Sequence, residues 1–140
     1  MQIKFAFLFF CGIFLVVMQN MIDSPLVMAY MGDNIYEQYI REYLIRSGIS
    51  KTGDLQQKSL EYVSARSQRK HLERLENANF LTEDELEIIK WGRNAKGAKS
   101  KSADIVTYRL ATGLEALIGK LYFAGKNERI KEIMEFIIGD

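Results

Sequence analysis

At 140 residues the chain is long enough for one packed domain and too short for two. Charged residues make up 26% and the formal net charge is +1, so overall charge does not mark a nucleic-acid binder and only local charge can make that case. A lone cysteine, Cys11, excludes an internal disulfide framework and fits a reducing compartment. With a single histidine besides, a His/Cys zinc site is not expected, which leaves oxygen-ligated hard cations as the metal class to consider.

The first twenty residues, MQIKFAFLFFCGIFLVVMQN, differ from the rest. Lys4 precedes an uncharged, bulky run from Phe5 to Met18 that resembles a signal-peptide core, but the run falls short of the ~20 residues that span a bilayer. No A-x-A cleavage signal follows, and Leu8, Phe9 and Phe10 before Cys11 make no lipoprotein box. Three readings stand: a membrane anchor or uncleaved signal, a hydrophobic helix docked on the domain, or upstream sequence with Met21 as the true start. The third is favoured because residues 22 onward form a self-sufficient helical pattern. The expected division is therefore a hydrophobic segment at 1–20 and one domain at 21–140.

Ser24-Pro25 reads as a helix start, Ser as N-cap and Pro at the first position, where its missing N–H is no loss. Apolar residues recur at Leu26, Tyr30, Tyr36, Tyr39, Ile40, Tyr43 and Leu44, and Gly48 ends the helix. A second helix is expected from about Asp54 to Tyr62, and a third over Ala65–Asn77 with Ser64 as cap. Thr82 and Glu85 stand at capping-box spacing, so a fourth spans roughly Glu83–Trp91. Residues 92–103, GRNAKGAKSKSA, read as a loop. A long helix follows from about Asp104 to Ala124 and a last one over about Glu128–Ile138. No alternating strand or hairpin signal is present, and the fold class is all-α.

Two acids stand out. Asp33 follows Gly32 inside the first helix, and Glu115 sits among Gly113, Ala116 and Gly119 in an apolar run from Leu110 to Phe123 that only Thr112, Glu115 and Lys120 interrupt. Both lie where bulk has been removed, which lets another backbone approach. An isolated carboxylate there would be costly or would stay protonated. Either a cation sits between two such acids, or each is held by its own Arg or Lys; taken alone, the spacing favours the second, commoner arrangement.

The residues around these acids carry a resemblance that changes that balance. AYMGDNIYE (29–37) and LEALIGKLYF (114–123) are similar to the two catalytic signatures of the ribonuclease III family. YVSARSQ (62–68), FLTEDE (80–85), GRNAK (92–96) and DIVTYRLAT (104–112) resemble, in order, its small Mini-III branch, which lacks the double-stranded-RNA-binding domain. The resemblance covers roughly residues 24–138. It implies an all-helical, homodimeric, cytoplasmic endonuclease that cuts structured, double-stranded RNA with Mg²⁺ and trims the precursor of large-subunit (23S) ribosomal RNA. Asp33 is then the metal-binding catalytic acid and Glu115 its partner. Ala29 and Thr112 stand where the wider family has two further acids, which leaves fewer protein ligands. Glu37, Asp104 and Thr112 are candidates for supporting the pair; Asp104 serves equally well as an N-terminal acid stabilising the helix dipole.

Lys90, Arg93, Lys96, Lys99 and Lys101 fall in a stretch without an acid, and with Asn94 they are the candidate grip on RNA phosphates. Arg66, Arg69, Lys70 and Arg74 make a weaker second patch at helical spacing. Contacts of this kind read duplex shape, so selectivity would come from RNA shape or from a helper such as a ribosomal protein. Trp91 is expected to pack rather than stack on RNA, His71 to lie at the surface or an interface, and the stripe Tyr30, Tyr36, Tyr39, Tyr43 to serve core and dimer contact. The competing readings are a catalytically silent RNA-binding module and a helical protein tethered to a membrane through residues 1–20.

Overall fold

The computed structural model describes residues 11–14, 23–96 and 104–139, and among them there is no strand. Six helices form the domain: α1 Pro25–Arg46, α2 Thr52–Val63, α3 Ala65–Asn77, α4 Glu83–Arg93, α5 Ile105–Phe123 and α6 Asn127–Ile138. The all-α expectation holds. Lys99, Lys101 and nearly all of the 1–20 segment lie outside the described residues. Among the described residues no helix is long and apolar enough to cross a membrane.

The ends of these helices follow from local chemistry. The Val27 N–H reaches the Ser24 hydroxyl at 3.4 Å, with Pro25 in the first turn. Ser64 has extended backbone, ending α2 and capping α3 through the Ser67 N–H at 3.2 Å. Thr82 and Glu85 close a complete capping box on α4. At the start of α5, the Asp104 carboxylate accepts from the Thr107 N–H at 2.9 Å.

α5 is the axle of the domain. Ala111, Thr112, Gly113, Leu114, Ala116, Leu117, Ile118 and Gly119 are all buried, because α1, α3, α4 and α6 pack around it. Leu114, Leu117 and Ile118 meet Tyr36, Ile40 and Leu44 of α1, Leu72 and Leu75 of α3, and Ile133, Met134 and Ile137 of α6 in one apolar cluster. A buried ion pair ties the far end. Glu85 takes Arg129 of α6 at 2.7 Å, and Arg129 also donates to the Phe80 carbonyl at 2.6 Å.

Four expectations change. α4 continues to Arg93, so the loop begins at Asn94 rather than at residue 92. Gly92 is there for contact rather than for a turn: a Cβ on it would lie 2.7 Å from the Ala116 Cβ and 2.9 Å from the Gly113 Cα. His71 is an interior residue, 5% exposed and stacked on Tyr62 at 6.0 Å, so the surface expectation fails. The tyrosine stripe divides: Tyr36 is fully buried and Tyr39 half-buried, whereas Tyr43 is partly exposed and Tyr30 is 84% exposed. Their angular spread around α1 is wider than its contact stripe, so Tyr30 is not core. Finally, Arg74 leaves the second basic patch and lies over the Phe136 ring at 5.2 Å, donating to the Phe136 carbonyl. Trp91 packs on Met28, Ala29 and Ala116 as expected, with the Lys120 ammonium 5.0 Å from its ring centroid.

Candidate active site

The site is built on a crossing of α1 and α5 that only glycine permits. A Cβ on Gly32 would collide with the Glu115 carbonyl oxygen and come within 3.0 Å of the Gly119 amide nitrogen. A Cβ on Gly119 would in turn strike the Met28 carbonyl. The two backbones therefore touch, without an intervening layer of side chains. Asp33 follows Gly32 directly, so the same contact that joins the helices brings its carboxyl to that of Glu115.

The two acids have unlike surroundings. Asp33 is exposed at the lip, whereas Glu115 lies largely under its neighbours. Burial pushes the Glu115 carboxyl up to about 8; the Gln68 amide opposes that shift, and the charge and hydrogen bond of Asp33 add to it. The amide of Gln68, on α3, donates to Glu115 Oε1 at 3.0 Å. Tyr36, one turn beyond Asp33 on α1, donates its hydroxyl to the Tyr62 carbonyl at 2.9 Å. Burial first, and then the Glu115 charge, keep that phenol protonated.

The supporting candidates are placed differently. Glu37 is half-buried and pairs with Arg41 at 3.1 Å. Asp104 lies three turns before Glu115 on α5, roughly 16 Å along the axis at 1.5 Å per residue. Both of its oxygens serve the helix start: the Thr107 N–H donates to one at 2.9 Å and the Thr107 hydroxyl to the other at 2.7 Å. These bonds, with the Thr107 N–H foremost, hold its carboxyl below the usual range. The Thr112 hydroxyl donates to the Tyr108 carbonyl at 3.0 Å, and Thr112 is buried on the side of α5 that meets Gly92. The fold thus brings together Asp33 and Glu115. Asp104 and Thr112 spend their polar groups on α5 itself.

The residue that sequence reasoning passed over is Gln68. It stands at the buried register of α3 with His71, Leu72 and Leu75, and is 1% exposed. A polar side chain at an inward helical position was the available signal.

Whether the pair suits a divalent ion can be judged from its donors. Two carboxyl groups held against each other repel when both are ionised, and a dication between them reverses that penalty. Among the described residues no group of three or more His, Cys, Asp or Glu could hold a metal. An ion here would complete its shell with water and substrate oxygens, as Mg²⁺ does readily. The donors fit.

The candidate phosphate contacts Lys90 and Arg93 occupy the exposed last turn of α4, Asn94 is its C-cap, and Lys96 is exposed just beyond. Arg66 and Lys70 are exposed on α3, while Arg69 is turned inward to the Thr107 hydroxyl at 2.9 Å.

Residues 26–126 match the family model for the ribonuclease III domain. A Mini-ribonuclease 3 of Staphylococcus aureus is 43% identical over 82% of this chain and 87% of its own length. One of Brevibacillus brevis is 46% identical over 81% of this chain and 84% of its own. A crystal structure of a Fusobacterium nucleatum protein superposes with a TM-score of 0.72 at 33% identity, covering 83% of this chain and 92% of that one. A glycine-mediated helix crossing that sets two acids side by side, on a chain so similar to these relatives along nearly its whole helical domain, places this protein in the ribonuclease III family, as an endoribonuclease of the Mini-ribonuclease 3 branch.

Proposed function

We propose that this endoribonuclease hydrolyses phosphodiester bonds in double-stranded or structured RNA with Mg²⁺ held by Asp33 and Glu115. The observation that carries the reading is the meeting of these two carboxyls at the Gly32–Glu115 crossing. When bound, Mg²⁺ supplies the positive charge that makes a water nucleophilic at neutral pH and offsets charge growing on the phosphate. The chain's own residues do the rest. Asp33, at the exposed lip, faces the incoming strand, while Glu115 anchors the inner side and gives up its proton as the ion is taken. Water adds to phosphorus and the bond to the 3′ oxygen breaks, leaving 5′-phosphate and 3′-hydroxyl ends. Lys90, Arg93, Asn94 and Lys96, exposed at the end of α4, hold phosphates in this reading, and Lys99 and Lys101, outside the described residues, add to that charge by sequence alone. Such contacts suit a duplex whose deep, narrow major groove side chains cannot read.

One acid pair cuts one strand, so a two-fold homodimer would present two pairs to the two strands. Exposed Tyr30, beside the site on α1, is a natural part of such an interface. The substrate proposed is the precursor of large-subunit ribosomal RNA in the cytoplasm, with a ribosomal protein as helper in shaping it. Retention of both acids speaks against a catalytically silent RNA-binding module. A tether through residues 1–20 is the competing location, and fractionating cells that express the full chain, then sequencing the protein's N-terminus, separates the two.

The decisive experiment incubates the purified chain with duplex RNA, with and without Mg²⁺. Cleavage should need the ion and should vanish in Asp33→Asn, with RNA binding and thermal unfolding nearly intact. Equal cleavage by that variant would refute the metal assignment.

A further inference from the structure

Gln68 combines three features that packing alone does not explain. It is 1% exposed on α3, between Glu115 of α5 and the last residue of α2. Its single NH₂ group bridges two acceptors, the Glu115 Oε1 at 3.0 Å and the Val63 carbonyl at 3.3 Å. Its own Oε1 is buried without a hydrogen-bond partner among the described atoms. A buried acceptor left unsatisfied is destabilising, and here only the two hydrogen bonds donated by the same amide offset it. All of its polar contacts therefore run through the NH₂ group, to Glu115 and to the Val63 carbonyl.

We propose that Gln68 is the positioning residue for Glu115: its amide, referenced to the backbone at the α2–α3 junction, holds the carboxyl in the orientation that meets Asp33, so that an ion finds both acids already aligned. The inference rests on the metal-dependent reading above. Val63 is the last residue of α2, and the extended backbone of Ser64 fixes where its carbonyl points. One N–H of the amide is spent on that reference and the other on the carboxyl. Rotation of Glu115 away from Asp33 would break this part-buried hydrogen bond. Partners that orient a metal-binding side chain in this way are typically worth about 10- to 100-fold in ion affinity.

The test compares the wild type with Gln68→Met, which keeps the length and loses the amide, and Gln68→Asn, which keeps the amide but withdraws it. Mn²⁺ binding to the free protein is followed by electron paramagnetic resonance, and Mg²⁺-dependent cleavage of duplex RNA is measured in parallel. Both variants should bind Mn²⁺ about 10-fold or more weakly and need correspondingly more Mg²⁺ for half-maximal cleavage, with kcat at saturating ion changed less. The thermal midpoint of Gln68→Met should stay close to that of the wild type, because removing the unsatisfied Oε1 offsets the loss of a donor to two acceptors. Wild-type ion affinity in both variants overturns the proposal. A drop in thermal midpoint in both variants that accounts for the lost affinity also overturns it, because Gln68 then holds the fold rather than the carboxyl. If the wild type binds no Mn²⁺ that Asp33→Asn abolishes, the metal-dependent reading itself fails, independently of Gln68.

Discussion

The backbone of Glu115 rests directly on Gly32, and this contact makes neighbours of two carboxyl groups that are far apart in sequence. Function and packing share one point of the structure. A change made for either reason disturbs both.

Gly32→Ala is the most direct probe. Alanine gains about 1 kcal/mol in helix propensity over glycine. The new methyl group, however, meets backbone rather than a side chain that can swing aside, so α1 and α5 must separate. Overpacking of this kind costs about 1–3 kcal/mol, and more where backbone must move. Urea unfolding should show a net loss of about 2 kcal/mol. Cleavage should fall far more than that loss predicts at temperatures where the variant is folded, because the acids no longer converge.

The raised Glu115 pKa has a definite sign. Its carboxyl titrates near 8 when folded against an ordinary 4.5, so between these values the native state binds a proton that the unfolded chain has released. Stability from this group is fully present below 4.5 and is lost as pH rises through about 8. The thermal midpoint of metal-free protein should decline across this window, and Glu115→Gln should flatten the decline while eliminating cleavage. A decline of equal slope in Glu115→Gln would assign it to another group.

Uptake of Mg²⁺ should release a proton. The ion prefers ionised Glu115, so binding near neutral pH displaces the shared proton, and little is displaced well above pH 8. Titration calorimetry in two buffers of different ionisation enthalpy measures this release. The stabilisation conferred by Mg²⁺ should also be larger at pH 8.5 than at pH 6, because the ion then offsets a repulsion that is fully developed.

Glu85 and Arg129 supply a prediction for the fold alone. The Arg129 hydrogen bond holds the Glu85 carboxyl below its ordinary range, helped by the Thr82 N–H and opposed by burial. Stability from Glu85 is present above the unfolded value and disappears as pH falls through the depressed folded one. Glu85→Gln leaves Arg129 without its main partner and also weakens the capping box of α4. A loss of about 2–3 kcal/mol in chemical unfolding at pH 7 is expected. Mn²⁺ affinity should stay at the wild-type level while the protein is folded.

Clearing charge from the end of α4 should weaken grip without touching chemistry. Replacing Lys90, Arg93 and Lys96 together by Ala should raise KM for duplex RNA and make binding less dependent on salt, by about one in log–log slope per lost phosphate contact. kcat at saturating RNA should change little. An unchanged salt slope would place the RNA elsewhere.

Helix positions and fold class were legible in the chain because their determinants are local. Ser24-Pro25, the Thr82/Glu85 box and the Ser64 break act within a turn, and the apolar period along α5 names its buried face. The family signatures likewise singled out Asp33 and Glu115, and the acids appeared as oddities in an apolar context even without them. What no local pattern carries is the partner on the other side of a contact. Gly92 read as loop because a glycine that admits a neighbouring helix looks the same in sequence as one that ends its own. His71 read as surface, and Gln68 went unnoticed, because a polar residue in a polar helix shows its burial only when α5 is laid against it. The closeness of the two carboxyls and the raised pKa of Glu115 arise from backbone contact between segments some eighty residues apart. Burial and charge repulsion depend on distance through space, and tertiary packing alone sets that distance.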